Sequence, residues 1–162
     1  MPQPESQTLE TKPQSAPSKP SRFRAWLPTI LWLCVIALES SDWLSARHTG
    51  GFLYPIFHYL FGLTPEQFEP IHFFTRKTGH SVGYGTLSVL AFRSWRALRD
   101  PWQPSWTLAW ARNAVLLTFT VASLDEFHQT FIPSRTGTLR DVVLDTTAGI
   151  TAQVLTYFIL RQ

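Results

Sequence analysis

Three groups of side chains in this sequence have types and spacings that suit chemistry. Lys77, His80 and Tyr84 stand at i, i+3 and i+7; Asp125, His128 and Gln129 at i, i+3 and i+4; Asp141 and Asp145 one turn apart. On a helix each group shares a face. Such faces can move protons and hold anions. His80 is the first candidate for proton transfer, because an unperturbed imidazole titrates near about pH 6.5, and the carboxyls of Asp125 and Glu126 are its acid/base partners. Arg76 and Lys77 add positive charge, and Tyr84 and Gln129 add neutral hydrogen-bonding groups for a bound substrate. Arg135 lies in "IPSRTG" (132–137); it carries a planar fork for phosphate or carboxylate next to an expected helix N-terminus that also favours anions. Asp125 and Glu126 are adjacent and point about 100° apart on a helix, so a facing carboxylate pair requires Asp141 or Asp145. Ser40, Ser41, Ser123 and Ser134 lie in no G-x-S-x-G elbow. His128 beside Glu126, together with His80 and Asp125, raises a metal site as an alternative, but no HxxxH, HExxH or Cys-based spacing is present, so neither a metal nor any other cofactor is expected.

The elements that must position these groups are helices in lipid. The chain has 162 residues, 44% hydrophobic and 14% aromatic, enough for one domain. Residues 1–22 hold five Pro and four Ser and almost nothing apolar, a composition that cannot offset the entropy of ordering. A disordered tail is therefore expected over 1–24, with one domain over 25–162. That domain holds all seven Trp and eleven of the twelve Phe. A membrane-crossing helix needs about 20 mostly apolar residues, and four segments approach this: 25–44, 71–95, about 108–124 and 142–160. The second is interrupted by Arg76, Lys77 and His80, and the fourth contains Asp145. Between the first two, "GFLYPIFHYLFGL" (51–63) is too short to cross and too apolar for a solvated loop. It reads as an interfacial or re-entrant segment, with His58 as an interfacial residue, as is His72 beyond it. Thr64, Pro65 and Gln67 then signal a helix start, bent or restarted at Pro70. The expected fold class is all-α: a polytopic membrane protein with four transmembrane helices plus that short segment. A signal peptide ending at "LSA" before Arg47 fits less well, because the apolar run continues through Glu39 and Asp42.

Charge sets the expected orientation. With the tail in the cytoplasm, the inner segments carry nine of the fourteen Lys and Arg and three of the eleven acids. The positive-inside rule then places both termini in the cytoplasm. Lys and Arg form no basic stripe despite a net charge of +3, so nucleic acid is not an expected partner. The single Cys34 allows no internal disulfide. In this topology Glu39 to Asp42, Arg76 to His80, Asp125 to Gln129 and Arg135 to Asp145 all fall at the outer end of the bundle. Charges at membrane depth face inward and pair. Gly79, Gly83, Gly85, Ala148 and Gly149 form a seam of small residues for close helix approach, and Thr138 is placed to cap the last helix with Asp141 at N3.

The segments "RKTGHSVGYGTL" (76–87) and "DEFHQTFIPSRTGTLRDVVLDTTAG" (125–149) resemble the two signature blocks of the VanZ-like family of bacterial membrane proteins. The match covers Arg76, Lys77, His80 and Tyr84 in the first block, and Asp125, Glu126, Gln129, Arg135 and Asp141 in the second. Asp145 departs from it, standing where such proteins favour Asn. The resemblance implies an integral protein of the bacterial cytoplasmic membrane that acts in the cell envelope, with low-level teicoplanin resistance as the associated phenotype. Membrane lipid and a lipid-linked cell-wall precursor or glycopeptide are the implied partners. Three activities stay open beside one another: recognition of an anionic envelope component, hydrolysis or transfer on a phosphate- or ester-linked lipid, and proton-coupled transport. A layer that only neutralises itself and fixes helix register is the rival to all three.

Overall fold

The computed structural model describes residues 20–42, 45–100, 102–133 and 135–161. Five helices follow one another: α1 (Arg22–Ser40), α2 (Ala46–Phe61), α3 (Pro65–Ala97), α4 (Leu108–Gln129) and α5 (Leu139–Leu160). No strand occurs among the described residues, so the all-α expectation holds. Residues 1–19 of the expected tail lie outside the described residues, and Arg22 to Arg24 already belong to α1. Ser21 starts that helix, its Oγ accepting from Arg24 N–H.

Local signals explain the helix ends. Thr64 N–H donates to Gln67 Oε1 at 3.0 Å, with Pro65 at N1, as the spacing predicts. Thr107 Oγ1 accepts from Trp110 N–H and Thr138 Oγ1 from Asp141 N–H, so α4 and α5 each begin at a threonine cap. Gly62 closes α2 at a φ of 66°, a left-handed position that costs glycine little. Pro70 does not restart α3, which runs unbroken for 33 residues, about 50 Å at 1.5 Å per residue. Pro70 sits near the helix start, where one missing N–H and one steric step are absorbed without ending the helix.

Contacts between helices fix their directions. The start of α1 meets the end of α3, where Thr29 and Ser94 share a hydrogen bond. α4 crosses α3 in the opposite sense, with Tyr84 beside Asp125 and Phe92 beside Trp110. α5 runs parallel to α3: Lys77 meets Asp141, and Ser88 meets Gly149 and Gln153. α1, α3, α4 and α5 thus form an up-down-up-down bundle with α3 touching all the others. α2 packs only on the early turns of α3, through Tyr54 and Phe57 against Phe68 and a Thr49–His72 hydrogen bond.

The polarity of the bundle is inverted relative to a protein folded in water. Beside a few large residues such as Leu87 and Phe92, most of what faces inward is small or polar, including Ala25, Thr29, Ser88, Ser94, Ala111, Ala114, Thr118, Ala122, Asp145 and Gln153. Exposed instead are Phe23, Leu31, Leu38, Leu116, Phe119, Leu155, Phe158 and Ile159 among many large apolar residues. Small and hydroxylated residues at the interface with large apolar ones outside are what lipid favours, whereas so large an apolar surface is rare on a soluble monomer. Two helices, α1 and α5, are long and apolar enough to cross a membrane, with 22% of each apolar window buried. Part of the expected glycine seam is real. A Cβ on Gly85 would lie 3.7 Å from the Ala148 carbonyl, and one on Gly149 would lie 3.0 Å from Thr118 Cγ2, while Gly79 faces open space.

Candidate functional site

The ionisable layer forms because α1 and α4 end in it, α5 starts in it and α3 passes through it. Parallel α3 and α5 match turn for turn at this end: Lys77 pairs with Asp141, and one turn deeper His80 Nδ1 lies 3.7 Å from Asp145 Oδ2. The two predicted faces, 77/80/84 and 141/145, therefore do meet. One turn further along the same face, α3 meets α4: Tyr84 O–H donates to Asp125 Oδ2 at 2.8 Å, and Gln129 Nε2 donates to the same oxygen at 3.1 Å. All three residues are buried.

The segment joining α4 to α5 is fastened from both sides. Glu126 Oε2 accepts from Thr138 N–H at 2.7 Å. Gly137 lies so close to α4 that a Cβ there would collide with the Glu126 carbonyl oxygen, so the need for glycine is one of space. Arg135 Nη2 donates to the carbonyls of Glu39 at 2.5 Å and Ser41 at 2.8 Å. It stands in the turn before α5, as expected, but its guanidinium engages carbonyls at the C-terminal end of α1, where a cation also suits the helix dipole. Burial pushes Arg135 below the usual guanidinium range, opposed first by Asp125 and Asp42. An arginine stays charged despite such a shift, and its Nε is buried with no hydrogen-bond partner.

These groups surround a cavity of about 180 Å³ lined by Glu39, Thr49, Arg76, Gly79, His80 and Arg135. Of the residues expected in a site, Arg76, His80 and Arg135 reach this lining. Lys77, Tyr84, Asp125, Glu126, Gln129 and Asp141 belong to the packed layer around it, each engaged with another protein group. Asp125 and Glu126 are thus bonded to neighbours and do not line the cavity. Half-buried Arg76 has no hydrogen bond or ion pair among the described residues. It lies close enough to Arg135 for the two charges to repel. His128 is exposed, its Nδ1 3.4 Å from Ser40 Oγ.

Sequence reasoning missed Glu39 and Thr49 as lining residues. Thr49 arrives on α2, and only the Gly62 turn, which folds α2 back on α3, hints at it. Asp145 proves central rather than anomalous: it faces His80, not Arg135 or the exposed Arg140. Its carboxylate is 1% exposed, and neither oxygen has a hydrogen-bond partner. A further tie lies deeper, where Trp32 Nε1 donates to the Gly83 carbonyl at 2.8 Å.

Comparison with known proteins leaves one anchor. No curated protein and no solved structure matches the chain. The family model VanZ/LLP1 matches residues 25–161, a span that takes in every helix with the charged layer and the cavity. This match and the two long apolar helices together point to a membrane protein. The sequence blocks at 76–87 and 125–149 and the match around them agree: this chain belongs to the VanZ/LLP1 family.

Proposed function

We propose that the chain is a four-span protein of the bacterial cytoplasmic membrane, with both termini in the cytoplasm, whose outward cavity binds an anionic cell-envelope component. The observation that carries this reading is the pair of arginines in one small cavity. Arg76 and Arg135 line it together with a single carboxylate, Glu39. Two cations held near one another, one with no partner and one with a buried unpaired Nε, repel unless an anion lies between them. A phosphate or carboxylate suits the guanidinium fork. The family resemblance favours a lipid-linked cell-wall precursor and a contribution to teicoplanin resistance. α1 and α5 meet the length requirement for spans; α3 and α4 complete the count because they pack between them in the same bundle.

Binding of undecaprenyl pyrophosphate to the full chain in detergent micelles tests the reading. A charge-assisted hydrogen bond contributes about 1.5–3 kcal/mol, so Arg76→Gln is expected to weaken binding about 10- to 100-fold. Equal affinity for both proteins would overturn the proposal.

One observation favours a second reading, that of a hydrolase or transferase on a phosphate- or ester-linked lipid. His80 lines the same cavity with a carboxylate, Asp145, behind it, and an imidazole backed by a carboxylate is a common general base. Mass spectrometry of lipids and muropeptides from cells with and without the protein separates the two. A changed covalent species means an enzyme, and an unchanged inventory means a binder.

A further inference from the structure

Asp145 poses a problem that the arginine cavity does not solve. Its carboxylate is 1% exposed, and both oxygens lack a hydrogen-bond donor among the described residues. A buried ionised carboxylate without a partner is strongly unfavourable. Its one ion-pair contact among the described residues, with His80 Nδ1, is long at 3.7 Å, beyond hydrogen-bond length. Something smaller than a side chain fits between them.

Three helices converge on that point. His80 on α3, Glu126 on α4 and Asp145 on α5 each present one potential ligand atom, and all three atoms lie within 4.8 Å of one another. Nitrogen and oxygen ligands bind zinc at about 2.0–2.2 Å, which places neighbouring donors of a tetrahedral site about 3.3–3.6 Å apart. The His80–Asp145 separation of 3.7 Å is already close to that value. Glu126 is oriented from outside the cluster, because its Oε2 accepts the Thr138 N–H, the kind of outer contact that fixes a metal-binding carboxylate.

We propose that His80, Glu126 and Asp145 form a binding site for a divalent transition-metal ion. One imidazole nitrogen with two carboxylate oxygens suits Zn²⁺ or Mn²⁺ better than the all-oxygen preference of Mg²⁺ or Ca²⁺. Two carboxylates and a divalent cation reach charge balance, which removes the cost of burying Asp145. The absence of any metal-spacing motif within one helix does not bear on the site, because each ligand comes from a different helix. The site stands independently of anion binding: Arg76 is not a ligand.

The test uses the full chain in detergent, stripped with EDTA and titrated separately with ZnCl₂, MnCl₂ and MgCl₂, with metal content measured by plasma mass spectrometry after dialysis. One Zn²⁺ or Mn²⁺ per chain is expected. Asp145→Asn and His80→Gln should each weaken binding by at least about tenfold. A His48→Gln/His58→Gln double variant, altering two exposed histidines, should keep one ion per chain. Added Zn²⁺ or Mn²⁺ should raise the melting temperature of the wild type and leave that of Asp145→Asn unmoved. If the variants do not fold, X-ray absorption on the loaded wild type decides: one imidazole in a nitrogen/oxygen shell supports the site, and two or more imidazoles refute it. Substoichiometric binding by the wild type, or undiminished binding by Asp145→Asn, would overturn the proposal.

Discussion

Removing the Tyr84 hydroxyl measures how firmly Asp125 is committed to the scaffold. Tyr84 is 2% exposed and Asp125 is 8% exposed, and the bond between them is 2.8 Å long. Two estimates apply and disagree. Hydrogen bonds to charged groups contribute about 1.5–3 kcal/mol in proteins generally, while those between helices in a bilayer average about 0.6 and reach about 1.7 kcal/mol. The geometry decides between them. The acceptor is a carboxylate and the pair is buried, which favours the upper part of the membrane range. In Tyr84→Phe, however, the same Oδ2 keeps Gln129 Nε2 at 3.1 Å, so no acceptor is orphaned. The expected loss is about 1–1.5 kcal/mol. Asp125→Ala leaves the tyrosine hydroxyl and the Gln129 amide without partners in a dry interface, and should cost about 3 kcal/mol. The double variant should then recover a coupling energy of about 1 kcal/mol. Equilibrium unfolding in mixed micelles with increasing dodecyl sulfate reads all four corners of the cycle. A coupling below about 0.3 kcal/mol would refute the claim that this bond holds α4 against α3.

Three further outcomes follow from particular contacts. Lys77 and Asp141 are 32% and 19% exposed, so Lys77→Met should cost no more than about 1 kcal/mol. The reversed pair Lys77→Asp/Asp141→Lys should recover only part of it, because Asp141 also complements the start of α5; full recovery in the same unfolding assay would contradict that second role. Gly137→Ala drives a methyl into the Glu126 carbonyl and toward Thr130 Cγ2 at 2.9 Å, and should cost at least about 1–3 kcal/mol. Gly51→Ala, with nothing within 4 Å, should instead stabilise α2 by up to about 1 kcal/mol; equal effects of the two on melting temperature would count against the close approach. In a Cys34→Ser background, an impermeant maleimide added to intact cells should label Thr136→Cys and spare Pro104→Cys. The opposite pattern would invert the orientation.

The helices were legible because their signals are local. Thr64, Thr107 and Thr138 each mark a start within a few residues, and the run from Leu108 has the length and composition of a helix without reference to any partner. Faces were legible too, since 77/80/84 and 141/145 follow from the pitch of a helix. Less legible was what satisfies a charge that enters a helix. The apolar span ends near residue 124 while the helix continues to Gln129, as the 125/128/129 spacing requires; what the sequence did not show is that partners from α3 and the following loop satisfy those carboxylates inside the bundle. Arg135 stands in the turn before α5 as read, but its partners were hidden: its acceptors, the carbonyls of Glu39 and Ser41, lie more than ninety residues away, and backbone carbonyls leave no mark in a side-chain pattern. Of the convergent set, His80 and Glu126 were candidates together from the sequence, while Asp145 was hidden, since it lies on a third helix.

The register between α3 and α5 explains why this layer is both scaffold and site. Because the two helices run parallel, Lys77/Asp141 and His80/Asp145 form successive rungs, and a slip of one turn, about 5.4 Å, would set Lys77 beside Asp145 and leave His80 without an acid. The same slip would pull Gly85 away from Ala148 and Gly149 away from Thr118, where there is little room for larger residues. Small residues below and opposite charges above thus select a single alignment. The outer rung closes by direct contact and is spent on that selection. The inner rung stays open, with 3.7 Å between its groups and an unpartnered carboxylate on one side. A layer serving register alone has no reason to leave its most buried acid unsatisfied, so the open rung and the adjoining arginines are the part of the structure that folding by itself does not explain.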